Sequence, residues 1–71
     1  MKKVRTSMAG NVWKVLVSIG DKVEEGQEIA ILESMKMEIP VEATESGTVT
    51  AIVKAEGMFV DEGDILLELD E

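Results

Sequence analysis

The chain has no cysteine and no histidine. Disulfides, thiolate nucleophiles, imidazole bases and the usual zinc ligands are therefore excluded together, and with them most ordinary catalytic constellations. Aromatic residues are scarce as well. Trp13 and Phe59 are the only two, so a core has to be assembled from Val, Ile, Leu and Met. Basic residues are outnumbered seven to fifteen by acidic ones, which leaves a net charge of −8. A surface of that sign repels phosphate backbones and anionic headgroups, so neither nucleic acid nor membrane is expected as a partner. There is no apolar run of about 18 residues, and the opening "MKKVRTSMAG" carries charge with no apolar segment behind it. A cytoplasmic protein is the expectation.

What is present is an apolar fraction of 45% in 71 residues, enough for one modest core, since a chain of this size buries only about 60% of its unfolded surface. One domain over 1–71 is expected. Sliding the sequence on itself shows how that domain is organised. At an offset of 37, residues 9–32 ("AGNVWKVLVSIGDKVEEGQEIAIL") lie without a gap over residues 46–69 ("SGTVTAIVKAEGMFVDEGDILLEL"). Gly10/Gly47, Val12/Val49, Gly20/Gly57, Val23/Val60, Gly26/Gly63 and Leu32/Leu69 are identical pairs. The strongest shared unit is G-x-x-V-acid-E-G, read once as "GDKVEEG" and again as "GMFVDEG".

Glycines at both ends of that unit suit turns, and the Val and Ile around them suit strands, so each half reads as strand, turn, short strand, turn, strand. Gly10, Gly20, Gly26, Gly47, Gly57 and Gly63 are all taken as turn positions. Helix propensity alone would favour a helix through "EEGQEIAILESMKMEI", where Ile29, Leu32, Met35 and Ile39 recur at near-helical spacing. The second copy argues for strand, because its counterpart "DEGDILLELD" is short and follows a glycine. Strands are predicted near residues 2–7, 11–18, 28–34, 37–43, 48–54 and 64–70, with short pieces at Val23 and Val60. The fold class is all-β: a small sandwich or flattened barrel of two similar motifs about an approximate two-fold axis.

Residues 33–45 belong to neither copy, and they open with "ESMKMEIP". Flanked by two strands, Met35 and Lys36 become the central pair of a two-residue hairpin, with Ser34 opposite Met37 and Glu33 opposite Glu38. Such turns need φ > 0 and usually take Asn-Gly, Asp-Gly or Gly-X. Met-Lys breaks that rule, and a Glu33–Glu38 pair adds like-charge repulsion across the strands. A rule broken at the most exposed point of a small fold is where function is expected.

Placed between two similar β halves, "ESMKMEIP" resembles the attachment motif of the biotinyl/lipoyl domain family, and the resemblance covers roughly Val4 to Leu69. The biotinyl branch carries (Ala or Ser)-Met-Lys-Met, which stands here as Ser34-Met35-Lys36-Met37; the lipoyl branch typically has Asp before the lysine and Ala after it. The resemblance implies a flattened "hammerhead" barrel of two antiparallel sheets with quasi-two-fold symmetry and the modified lysine at a hairpin tip. It implies biotin as covalent cofactor on Lys36. Met35 and Met37, with Ser34, Glu33 and Glu38 beside them, become the surface that a biotin protein ligase and the partner enzymes read. Some bacterial carrier domains have a thumb loop in the first half; "NVWKVLVSIGDKV" runs straight through.

An exposed lysine ammonium is no nucleophile until it is deprotonated, so a carrier of this kind cannot acylate itself. On the family pattern a ligase activates biotin as its adenylate and Lys36 takes it as an amide. The tethered group then moves carboxylate from a biotin carboxylase site to a carboxyltransferase site. The domain is thus expected to be a monomeric carrier and not an enzyme. Two alternatives stand beside it: a lipoyl carrier moving acyl or aminomethyl groups, with lipoate on Lys36, and an unmodified lipoyl-like interaction module. Carboxylate pairs give no catalytic signal, because fifteen acids on so small a surface form pairs by chance.

Overall fold

The computed structural model describes residues 2–70; Met1 and Glu71, the outermost residues of the domain expected over 1–71, lie outside the described residues. Eight strands follow in order: β1 (Lys2–Arg5), β2 (Gly10–Val15), β3 (Lys22–Val23), β4 (Glu28–Ser34), β5 (Met37–Glu42), β6 (Gly47–Ile52), β7 (Phe59–Val60) and β8 (Ile65–Asp70). They form two four-stranded antiparallel sheets with strand orders β1-β8-β6-β3 and β5-β4-β2-β7. Adding 37 to a residue number carries β2 onto β6 and β3 onto β7, and the same shift turns one strand order into the other. The repeat is therefore a pseudo-two-fold that exchanges the sheets, each sheet drawing strands from both halves.

Backbone hydrogen bonds obey the same symmetry. Gly20 N–H donates to the Val49 carbonyl and Gly57 N–H to the Val12 carbonyl, both at 2.8 Å; Gly26 and Gly63 donate to Ala43 and Thr6 at the same distance. These four glycines have φ between 87° and 96°. Each is the third residue of a four-residue turn whose ends are closed by a backbone bond, as from Gln27 N–H to the Glu24 carbonyl and Asp64 N–H to the Asp61 carbonyl. A positive φ at that place selects glycine, which explains the spacing of the repeated unit.

Gly10 and Gly47 correct the expectation that all six glycines mark turns. They open β2 and β6 and pair within the sheets. What they supply is closeness. A Cβ on Gly47 would stand 2.5 Å from the Asp70 carbonyl oxygen, and one on Gly10 would stand 3.0 Å from that of Glu33. The predicted strands also run long at their ends. The first stops at Arg5 because Thr6 turns inward, its buried Oγ1 donating to the Met8 carbonyl at 2.8 Å. The second stops at Val15, ahead of the Ser18–Asp21 turn, where the Asp21 carboxylate accepts from Ser18 N–H at 2.9 Å. Likewise the strands expected to reach residues 43 and 54 end at Glu42 and Ile52.

The core lies between the sheets and is aliphatic: Val4, Val12, Ile29, Leu32, Val49, Val60, Leu67 and Leu69 are all buried. Period-two alternation puts them inward, but not without interruption. Trp13 is an extra residue in β2 opposite β4, and Thr50 is its counterpart in β6 opposite β8. At one end of the sandwich, Lys2 of β1 pairs with Leu69 of β8, and the Lys2 ammonium donates to the Ser46 carbonyl at 2.8 Å. The pseudo-two-fold makes that end the counterpart of the β4–β5 hairpin. The two therefore lie at opposite ends of a body measuring 34 × 19 × 19 Å.

Candidate functional site

The hairpin joining β4 to β5 has the expected two-residue tip. Ser34 pairs with Met37, Glu33 with Glu38 and Leu32 with Ile39. Met35 and Lys36 have φ of 52° and 65°, and among the described residues no other non-glycine has a positive φ. Two adjacent left-handed residues are the conformation that matches strand twist in a type I′ hairpin, and each is strained when it carries a Cβ. Replacing the pair with the turn's preferred residues, Met35→Asn with Lys36→Gly, is expected to raise stability by about 1 kcal/mol while removing the lysine. Urea denaturation beside wild type measures the gain; an unchanged or lower midpoint would mean that the methionine and lysine are not held against preference.

The sheet beneath holds this tip firmly. Leu32 is fully buried one residue below Glu33, and Gly10 lets β2 lie directly against the Glu33 carbonyl and the Ser34 Cβ. Above that footing everything is open. Met35 is 92% and Met37 64% exposed, Lys36 is exposed, and Lys36 makes no hydrogen bond or ion pair with the described residues. An aliphatic thioether on each side of a freely reachable ammonium is a distinctive chemical signature on an otherwise acidic surface. The cluster expected from sequence, Glu33, Ser34, Met35, Lys36, Met37 and Glu38, is brought together here as one continuous ridge.

Glu33 and Glu38 share a cross-strand row on the outer face, and that row continues across the sheet. Asn11 of β2 pairs with Glu33, and Phe59 of β7 pairs with Asn11. Sequence reading missed these two neighbours. The signal that could have found Phe59 is its repeat counterpart, Lys22, which shows that the position does not need an aromatic to fold. A separate hollow of 250 Å³ lies on the flank between β1 and β5, lined by residues that include Arg5, Ser7, Met8 and Pro40. Among the described residues no group of three or more carboxylates is arranged to hold a metal ion.

A β sandwich of two repeated halves with a lysine at the tip of one connecting hairpin has clear relatives. Residues 2–69 match the family described as "Biotin-requiring enzyme". The chain is 64% identical over 66 residues to a biotin/lipoyl attachment protein of Bacillus subtilis, covering 93% of this chain and 90% of that protein. It is 47% identical over 62 residues to a biotin carboxyl carrier protein of Streptococcus mutans, covering 87% of this chain and 48% of that one. Among solved structures, a urea carboxylase from Kluyveromyces lactis matches with a TM-score of 0.88 and 35% identity, over 97% of this chain and 6% of that one. The chain belongs to the biotinyl/lipoyl attachment family, and its fold is the flattened two-sheet barrel of that family. It spans nearly the whole of the first of these relatives, about half of the second and a small part of the carboxylase.

Proposed function

We propose that this protein is a biotin carboxyl carrier, with Lys36 as the residue that takes biotin from a biotin protein ligase. The observation that carries the reading is the tip itself: a lysine with no competing partner among the described residues, held at φ > 0 between two exposed methionines, in a chain whose relatives are named for biotin. The fit to a covalently held group is chemical. Nζ of Lys36 loses a proton and closes an amide on the biotin carboxyl carbon, the adenylate leaves, and the side chain gives up its charge.

When bound, biotin supplies a ureido ring able to carry carboxylate between two enzyme sites. The chain's own contribution is position. The hairpin places Lys36 at an exposed two-residue tip whose flanking strands pair in register down to the buried Leu32, so little backbone has to be ordered when an enzyme takes it in. Tethering replaces a bimolecular encounter by a high effective concentration. Catalysis belongs to the partners, a biotin carboxylase and a carboxyltransferase, and the carrier serves them in the cytoplasm as a monomer, its charge of −8 opposing self-association.

Incubation of the wild-type protein with biotin protein ligase, ATP and biotin is expected to add the mass of a single biotinyl group and confer retention on avidin. Lipoate with a lipoate ligase is expected to leave the mass unchanged, because Met35 and Met37 are the wrong neighbours for that branch. A lipoyl adduct alone, or no adduct with an active ligase, would overturn the proposal.

A further inference from the structure

The two aromatic residues of this chain are both on its surface. Trp13 is 42% and Phe59 56% exposed, with Met58 beside them at 43%. They belong to one edge of the sheet that ends in the Lys36 hairpin. Phe59 pairs across from Asn11, and the backbone of Met58 receives the Val12 N–H at 2.8 Å, one residue before Trp13. The Lys14 ammonium stands 5.2 Å from the Trp13 ring centroid.

The internal symmetry tests whether the fold needs these side chains. At the same three places in the other half stand Thr50, Asp21 and Lys22, all polar. The bulge that holds Trp13 is built equally well around Thr50. Leu16 and Val53, by contrast, are a symmetric pair, both partly exposed in the two halves, and carry no such asymmetry. Trp13 and Phe59 are therefore apolar for a reason other than folding, whereas the Met58 sulfur closes its turn by accepting from Ala55 N–H at 3.4 Å, as the Asp21 carboxylate does from Ser18 N–H in the other half.

We propose that Trp13 and Phe59, flanked by Met58, form a docking patch for the biotin carboxylase component that takes in the Lys36 tip, an inference that rests on the carrier reading above. Geometry supports the continuity. Phe59 lies about two and a half strand spacings, ~12 Å, to the side of the hairpin axis. An ordinary interface covers about 800 Å² per partner, a patch of roughly 16 Å radius, so an enzyme seated on the tip reaches this edge. Charge defines the partner further. Glu38, Glu33, Asn11 and Phe59 form one row, so the complementary surface is an apolar pocket for the aromatic rings bordered by arginine or lysine side chains facing the two carboxylates. A second copy of this chain is a poor occupant, since it would bring another charge of −8 against the same acidic row.

The test copies the other half of the molecule: Trp13→Thr with Phe59→Lys, and Phe59→Lys alone as the milder change at an exposed site. Each variant is biotinylated with ligase and used as carboxyl acceptor for the biotin carboxylase component of its own source, with ATP and bicarbonate. The expected result is complete biotinylation at the wild-type rate and a KM for the carrier raised about tenfold in the double variant, with kcat little changed. An unchanged KM on fully biotinylated protein overturns the patch and leaves the carrier reading intact. Slowed biotinylation with unchanged KM overturns it by naming the ligase as occupant, and a wild-type dimer that the variants abolish overturns it in favour of a second copy. Wild-type protein that accepts no biotin removes the carrier reading, and this inference with it.

Discussion

Lys36→Arg protein, treated with biotin protein ligase, ATP and biotin, should keep its unmodified mass and pass through avidin unretained. The loss is expected to be complete. Arginine keeps the positive charge and the length, but its guanidinium stays protonated and cannot open an attack on an acyl adenylate. The other lysines do not substitute for it. Lys14 stands over the Trp13 ring, Lys2 bonds to Ser46, and none of Lys2, Lys3, Lys14, Lys22 and Lys54 has a positive φ or lies between two methionines. Any residual biotin in the variant would relocate the attachment site, and a peptide map would name the lysine concerned. Because the exposed Lys36 side chain makes no hydrogen bond or ion pair with the described residues, thermal unfolding of the variant should coincide with wild type.

Leu69→Ala is expected to do the reverse, leaving the tip chemistry untouched while removing about half of the stability. Leu69 is fully buried in β8, between Lys2 of β1 and Val49 of β6. Truncating a leucine in such a place costs about 2–5 kcal/mol. A domain of this size has roughly 4–10 kcal/mol in all, at ~0.05–0.15 kcal/mol per residue, and no aromatic side chain stands in the core to take up the loss. The unfolding midpoint should fall by at least about 10 °C. A shift of one or two degrees in calorimetry would show that the cavity collapses freely and that the aliphatic core is less tightly packed than its burial implies. The pseudo-two-fold adds a check, since Leu32→Ala at the equivalent place should cost a similar amount.

Much of this was legible in the chain because repetition supplies a second reading of every position. The hairpin register came out residue for residue, Ser34 opposite Met37 and Glu33 opposite Glu38, since a two-residue tip leaves no freedom in the pairing that follows. The turn glycines of "GDKVEEG" and "GMFVDEG" were equally plain. Gly10 and Gly47 were misread because a glycine can answer either to φ > 0 or to a neighbour too close for a Cβ, and only the packing of Glu33 and Asp70 tells which. The bulges at Trp13 and Thr50 were invisible for a related reason. An extra residue in a strand disturbs the alternation by one place, which in "NVWKV" looks like ordinary variation. Phe59 drew notice only for its rarity; its counterpart Lys22 held in plain sight the sign that an aromatic there is not needed for folding.

The opposition between the two ends of the sandwich has a consequence for how such a unit can be used. Polypeptide added before Lys2 or after Asp70 would leave from the same end, opposite the lysine tip on a body 34 Å long. Nothing attached there can crowd the tip, and nothing docked on the tip strains the attachment. The domain is thus a cartridge with its mount at the back and its working point at the front. That polarity lets one architecture make up 90% of a small protein and 6% of a large carboxylase without redesign. What changes between such settings is the length of tether behind the mount, and with it the set of enzyme sites within the tip's sweep.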